Sequence, residues 1–165
     1  MHREGHVGAA LIAYAPIAFG FSVLGALDAT IFGALVVTGL SMVPDIDIKL
    51  PFVRHRGPTH TVYFTVAVGV VLGLFGVAIG LSNGLITTVV LGSLGFLLGT
   101  LAVGSHIAVD ALTPMGIDPW MNGERISYDV TRAANPVANY ALLTAGMVVS
   151  IAAVGIGLTI NGLVG

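Results

Sequence analysis

The chain contains no cysteine and little charge: six Lys and Arg and eight Asp and Glu among 165 residues, or 8 %. Without thiols it forms no disulfide and no thiolate metal site, so a metal would have to be held by imidazole, carboxylate, carbonyl or water. The absence of cysteine leaves the compartment open. A soluble domain is about 25 % charged; a third of that does not cover a water-exposed surface, so the expected solvent is lipid. The near-balanced charge, net −2, lacks the basic footprint of a nucleic-acid binder. Internal repeats, low-complexity stretches and a second domain are also missing.

What is present is apolar: 56 % hydrophobic residues and a mean hydropathy of +0.99. A spanning helix needs about 20 mostly apolar residues, each adding about 1.5 Å across a hydrocarbon core of about 30 Å. Five segments qualify or nearly so: 7–27, 29–44, 62–81, 85–112 and 137–163. The sequence therefore predicts an all-α, polytopic membrane bundle in one integral-membrane domain over 1–165. Twenty-three glycines, several spaced small-xxx-small at Gly69, Gly73, Gly76, Gly80, Gly92, Gly95 and Gly99, suit closely packed membrane helices. Asp28 and the "SNG" at Ser82–Gly84 read as tight turns, whereas 45–61 and 113–136 read as long polar loops.

The first segment is expected to be a retained helix, not a leader. "MHREGH" is a poor n-region, the apolar run is longer than an h-region, and no clear cleavage site follows. Arg3, Lys49, Arg54, Arg56, Arg125 and Arg132 are all the Lys and Arg in the chain. All fall on the side of the N-terminus and the long loops. The positive-inside rule then puts that side in the cytoplasm of a cell-membrane protein.

The same side collects the chemistry. Ionisable groups at membrane depth cost about 2.5–3.5 kcal/mol each on insertion scales, so they come with partners or a task. In "SHIAVD", His106 and Asp110 are one turn apart on a helix face, and Thr113-Pro114 stops that helix. In "PDID", Asp45 and Asp47 are expected in an extended turn where they share a face, a repulsive pair that a divalent cation would relieve. "HRGPTH" holds His55 and His60 across a Gly57-Pro58 turn, with Thr59 as the expected N-cap of the third helix. Arg54 and Arg56 could hold a phosphate, although the pair also reads as an ordinary cytoplasmic positive flank, which is slightly favoured. His6 enters the first helix on the same side. His2 reads as frayed and Glu4 as solvated, while Trp120 and Tyr128 read as interfacial aromatics. Arg132, Asn135 and Asn139 could border the site, but a structural role is the expectation for each. His–carboxylate sets suit Zn, Mn or Fe, one ion or two, and a metal that lowers the pKa of bound water to about 7 makes hydrolysis the simplest reaction.

These elements together, His6, Pro44-Asp45-x-Asp47, the "HRGxTH" of His55–His60, and Ser105-His106-x-x-x-Asp110 followed by Thr113-Pro114-x-Gly116, resemble the YdjM-like family of inner-membrane, metal-dependent hydrolases. The family's hydrolytic assignment rests on analogy with metal-dependent phospholipases. The resemblance implies metal and membrane more firmly than any substrate, and carries over His6, Asp45, Asp47, His55, His60, His106 and Asp110 as candidate ligands. Some members are described as LexA-binding; no residue here argues for that. Lys49 and an apolar turn follow "PDID" where a histidine would be looked for, which leaves the make-up of a second metal site open.

The resulting expectation is a membrane-bound hydrolase acting on an ester, a phospholipid phosphodiester among the candidates. Asp47, His55, Arg54 and Arg56 would serve the chemistry, and a lipid or other membrane-associated ester would be the partner. Two alternatives remain at this point. One is a metal-independent lipid phosphatase in which a histidine of the His106/Asp110 helix attacks phosphorus; against it, the Lys-x₆-Arg-Pro and Pro-Ser-Gly-His elements are absent. The other is a non-enzymatic transporter or scaffold.

Overall fold

A computed structural model describes residues 1–164. It contains five helices: α1 (Arg3–Val23), α2 (Leu27–Leu40), α3 (Val62–Gly80), α4 (Leu85–Ala111) and α5 (Pro136–Val164). Among the described residues there is no strand, only an isolated bridge between Ile117 and Ile126. All five helices are long and apolar enough to cross a membrane, α2 when counted through the 3₁₀ turn Pro44–Lys49 that continues it.

The first helix both starts and ends four residues before its expected position. Glu4 sits in its first turn, where the positive end of the helix favours an acid. The end is set by Gly25. Its φ of 71° lets the Ala26 N–H reach the Phe21 carbonyl (2.8 Å) and the Gly25 N–H reach Ser22 (3.1 Å), a Schellman close. The connection is therefore Leu24–Ala26. Asp28, expected there, instead occupies the first turn of α2.

Two helix pairs form the frame. α1 and α5 run parallel, with Gly8 against Leu142 and Gly146 at one end and Ser22 against Gly157 at the other. α3 and α4 run antiparallel through the glycine spacing seen in the sequence: Gly69 meets Gly99, and Gly73 meets Gly92. α2 leans on α1 and α4 and buries only Thr30, Gly33 and Val37. The core where these three helices meet consists of Ala10, Tyr14, Ala18, Val37, Leu98 and Ala102. The Tyr14 hydroxyl donates to the Thr30 carbonyl at 2.9 Å, which satisfies the one polar atom of that side chain. Large side chains such as Phe32, Phe75, Ile86 and Ile151 face outward, as lipid-facing positions do.

α3 is capped by Thr61, not by Thr59. Thr61 is extended (φ −121°, ψ 159°) and its hydroxyl accepts from the Phe64 N–H at 3.1 Å. Thr59 belongs to a 3₁₀ turn, Pro58–His60, and its hydroxyl is drawn to Asp47. Thr61→Ala is expected to cost about 1 kcal/mol of stability, read as a lowered thermal midpoint in detergent.

Helix polarity places the starts of α1, α3 and α5 and the ends of α2 and α4 at one end of the bundle. All six basic residues lie there. The loop 112–135 folds over that end. Ile117 buries against Val103, Ile107 and Ala111, and the N–H groups of Tyr128 and Val130 bond the carbonyls of Ala111 and Leu112, both at 2.8 Å.

Candidate metal centre

The last turns of α4 bring His106 and Asp110 inward, both essentially fully buried. Two further residues reach them from the chain breaks on either side. The 3₁₀ turn after α2 contributes Asp45, and the 3₁₀ turn before α3 contributes His60. His106 Nε2 lies 3.2 Å from His60 Nε2, 3.4 Å from Asp45 Oδ1 and 3.6 Å from Asp110 Oδ2. His60 Nε2 lies 3.5 Å from Asp45 Oδ1 and 3.4 Å from Asp110 Oδ2. Four side chains separated by as many as 65 positions thus converge on one small volume.

Proton assignments make this convergence chemically pointed. His106 Nδ1 is 2.6 Å from the Ser41 carbonyl. A carbonyl only accepts, so the neutral ring carries its proton on Nδ1 and leaves a lone pair on Nε2. His60 is fixed in the same way. Its Nδ1 lies 3.1 Å from Thr59 Oγ1 and 3.3 Å from Asp47 Oδ2, and the Thr59 hydroxyl is itself donated to Asp47 at 2.8 Å. With both rings neutral, two imidazole lone pairs and two carboxylate oxygens therefore face one another with no donor between them. That arrangement is repulsive unless a cation shares it. The same conflict governs His60 as an acid. Burial opposes a charged ring there, but the Asp110 and Asp45 carboxylates outweigh it and hold its proton affinity above the ordinary histidine value. These residues could hold a metal ion.

Asp47 does not share a face with Asp45. Pro44 fixes φ at the start of a 3₁₀ helix rather than an extended turn, and at three residues per turn positions two apart point in different directions. Asp45 enters the cage while Asp47 turns toward the 55–60 segment. Its carboxylate takes His55 Nδ1 at 2.9 Å, the Arg56 N–H at 3.0 Å and the Thr59 hydroxyl. Asp47, His55 and His60 form a second group close enough for an ion. Its carboxylate is already saturated by protein donors, however, and its His60 atom is the protonated Nδ1. The group thus reads as the support that orients His60.

The remaining candidates are near but not in the cage. His6 is buried and stacks on His106, with ring centroids 3.6 Å apart and planes 5° from parallel. Its Nε2 is 3.1 Å from the Met1 carbonyl and 3.6 Å from Asp110 Oδ1. The Met1 α-ammonium also contacts Asp110 Oδ1. Arg56, expected beside Arg54 as an anion holder, is 4 % exposed and largely spent inside. It donates to Asp110 Oδ1 at 2.9 Å, to Thr113 Oγ1 at 2.7 Å and to the Gly116 carbonyl at 3.2 Å. Arg54 and His55 are exposed. Asn135 caps α5 through its Oδ1, and buried Asn139 accepts the His2 N–H at 2.9 Å, which ties α5 to α1; neither touches the cage. Sequence reasoning missed Ser41, because a backbone carbonyl leaves no side-chain signature. It took Thr113 only as a helix stop, although the "TP" step marked the place.

Five spanning helices with a buried imidazole–carboxylate cage at one end define a polytopic membrane protein with a candidate metal centre. The chain matches the family model described as YdjM inner membrane protein over residues 1–163, and it belongs to that family. No curated protein and no solved structure matches it.

Proposed function

We propose that this protein is a metal-dependent hydrolase of the membrane interface, acting on an ester with a phospholipid phosphodiester foremost. One observation carries the reading: His60, His106, Asp45 and Asp110 each bring one ligand atom into a group whose atoms all lie within 4.8 Å of one another. Zinc fits them. Bonds of about 2.0–2.2 Å to nitrogen and oxygen place tetrahedral donors about 3.3–3.6 Å apart, against the 3.2–3.6 Å separations of the cage. Four protein donors close a tetrahedral zinc site, so a water would bind only where the more exposed Asp45 gave way or the ion took a fifth ligand; in that state the ion would lower the water's pKa to about 7 and polarise the ester.

The chain's own residues supply the rest. Asp45, at 16 % side-chain exposure against 0–1 % for the other three, is the edge at which substrate and water approach. Asp47 holds the Nδ1–H of His55, whose half-exposed ring leaves Nε2 free to take a proton from the attacking water and return it to the leaving oxygen. Asp47 also braces His60, and the Ser41 carbonyl braces His106, fixing both rings for coordination. All six Lys and Arg at the cage end favour a cytoplasmic cage by the positive-inside rule, open to a lipid arriving through the inner leaflet. The metal-independent alternative would need His106 as a nucleophile, yet that ring is fully buried and tied to Ser41.

The test is headgroup release from mixed-lipid vesicles with metal content measured on the same preparation. Activity lost with EDTA and restored by zinc supports the reading; a purified protein that takes up no divalent ion ends it. Asp47→Asn is expected to weaken zinc binding about 10–100-fold without unfolding the bundle, as read by competition with a chromogenic chelator.

A further inference from the structure

A second polar hollow lies beside the cage, between the 54–58 turn and the 118–125 stretch of the long loop. It encloses about 400 Å³ and is lined by Arg54, Arg56 and Arg125, with Asp118 as the one acid. Three of the chain's six basic side chains therefore border one pocket, although the two segments that bring them are some 70 positions apart. Asp118 forms no ion pair with any of them among the described residues. Its two carboxylate oxygens accept the N–H groups of Asn122 at 3.1 Å and Gly123 at 2.9 Å. Arg54 has no carboxylate partner among the described residues, and neither does Arg125, which donates once, to the Met115 carbonyl at 2.6 Å.

Arg56 supplies the independent sign of a ligand. Its terminal nitrogens are engaged with Asp110, Thr113 and Gly116, but its Nε–H has no partner among the described residues, although the side chain is 4 % exposed. A buried guanidinium N–H left unmatched carries a cost of about 1–3 kcal/mol or more that an acceptor would remove. The backbone at Arg56 is held at φ 56°, a left-handed conformation unusual for a residue other than glycine or asparagine.

We propose that this pocket binds a phosphate-ester oxyanion, with the exposed Arg54 and Arg125 as the arms and the Arg56 side chain in the wall between pocket and cage. Guanidinium forks match phosphate oxygens in geometry as well as charge. The proposal rests on the hydrolase reading and deepens it: the substrate class is an anionic phosphate ester, its phosphate held next to the cage with the arginine that contacts Asp110 in the wall between. The chemistry is shared by a lipid headgroup and a soluble phosphate, and the test separates them.

The purified protein is assayed for inorganic phosphate binding by equilibrium dialysis, and for retention of phosphatidate against phosphate-free diacylglycerol in nanodiscs by native mass spectrometry. Arg54→Ala and Arg125→Ala, both at exposed side chains, are compared with the unaltered protein, and zinc content is measured for each. The expected result is at least a tenfold loss of anion binding in each variant with zinc content unchanged. If inorganic phosphate binds and is lost in the variants, a free oxyanion suffices. If only phosphatidate is retained and lost, the ligand is the headgroup together with its membrane anchor. Variants that match the unaltered protein in both arms overturn the proposal. Loss of zinc in His106→Ala with anion binding intact would leave it standing while testing the cage separately.

Discussion

His106→Ala is expected to empty the cage. Removing one of four donors, with the other three left in place, should weaken zinc binding by at least about 100-fold, beyond what loss of a mere orienting partner does. Hydrolysis should fall on the order of 10³-fold or more, because a metal supplies several kcal/mol of transition-state stabilisation. The helices should persist, since the bundle's frame is the glycine contacts of α1–α5 and α3–α4, and outside the cage His106 adds its bond to Ser41 and its stack on His6. Chelator competition, vesicle hydrolysis and far-ultraviolet circular dichroism on one preparation separate the outcomes. Loss of metal with helicity retained is the expected pattern. Full zinc occupancy in the variant would mean that the four acceptors do not act together.

The second large effect is mechanical. A Cβ on Gly99 would lie 2.9 Å from both the Gly69 Cα and the Val68 carbonyl oxygen of α3. Those are backbone atoms that no rotamer change moves aside, so Gly99→Leu must pry α4 from α3. Overpacking of this kind costs about 1–3 kcal/mol or more. His106 stands two turns further along α4, about 10 Å away, and faces a histidine delivered by the turn that begins α3. The variant should therefore lose zinc affinity as well as thermal stability. Gly155→Leu provides the contrast: a Cβ there meets nothing within 4 Å, so the side chain would point to lipid and the melting midpoint should hold. Equal midpoints for the two variants would contradict the packing account.

The contrast between these two glycines also indicates what was legible in the sequence. Hydropathy and loop lengths placed five spans and put the polar residues at one end, because both follow from composition alone. Small-residue spacing marked the α3–α4 seam correctly. The end of α1 was misplaced because a long apolar run hides a Schellman close; only Gly25 marked it. The direction of Asp47 was misjudged because an Asp-x-Asp pair reads the same in an extended or a 3₁₀ chain, and the choice depends on Pro44 and on what waits at His55 and Thr59. Arg56 looked like Arg54, two positions away, since its burial depends on partners at Asp110, Thr113 and Gly116 that are far off in the sequence. Arg125 was read only as a basic flank, because its tertiary neighbours are far away in the chain.

Zinc-edge X-ray absorption of the reconstituted protein tests the central claim most directly. One ion per chain with two imidazole nitrogens and two or three oxygens, from the carboxylates and a water, at about 2.0–2.2 Å is the predicted first coordination sphere, and it should lose an imidazole in His60→Ala and in His106→Ala alike. A protein that binds no zinc, or binds it with a sphere indifferent to both substitutions, would contradict the account.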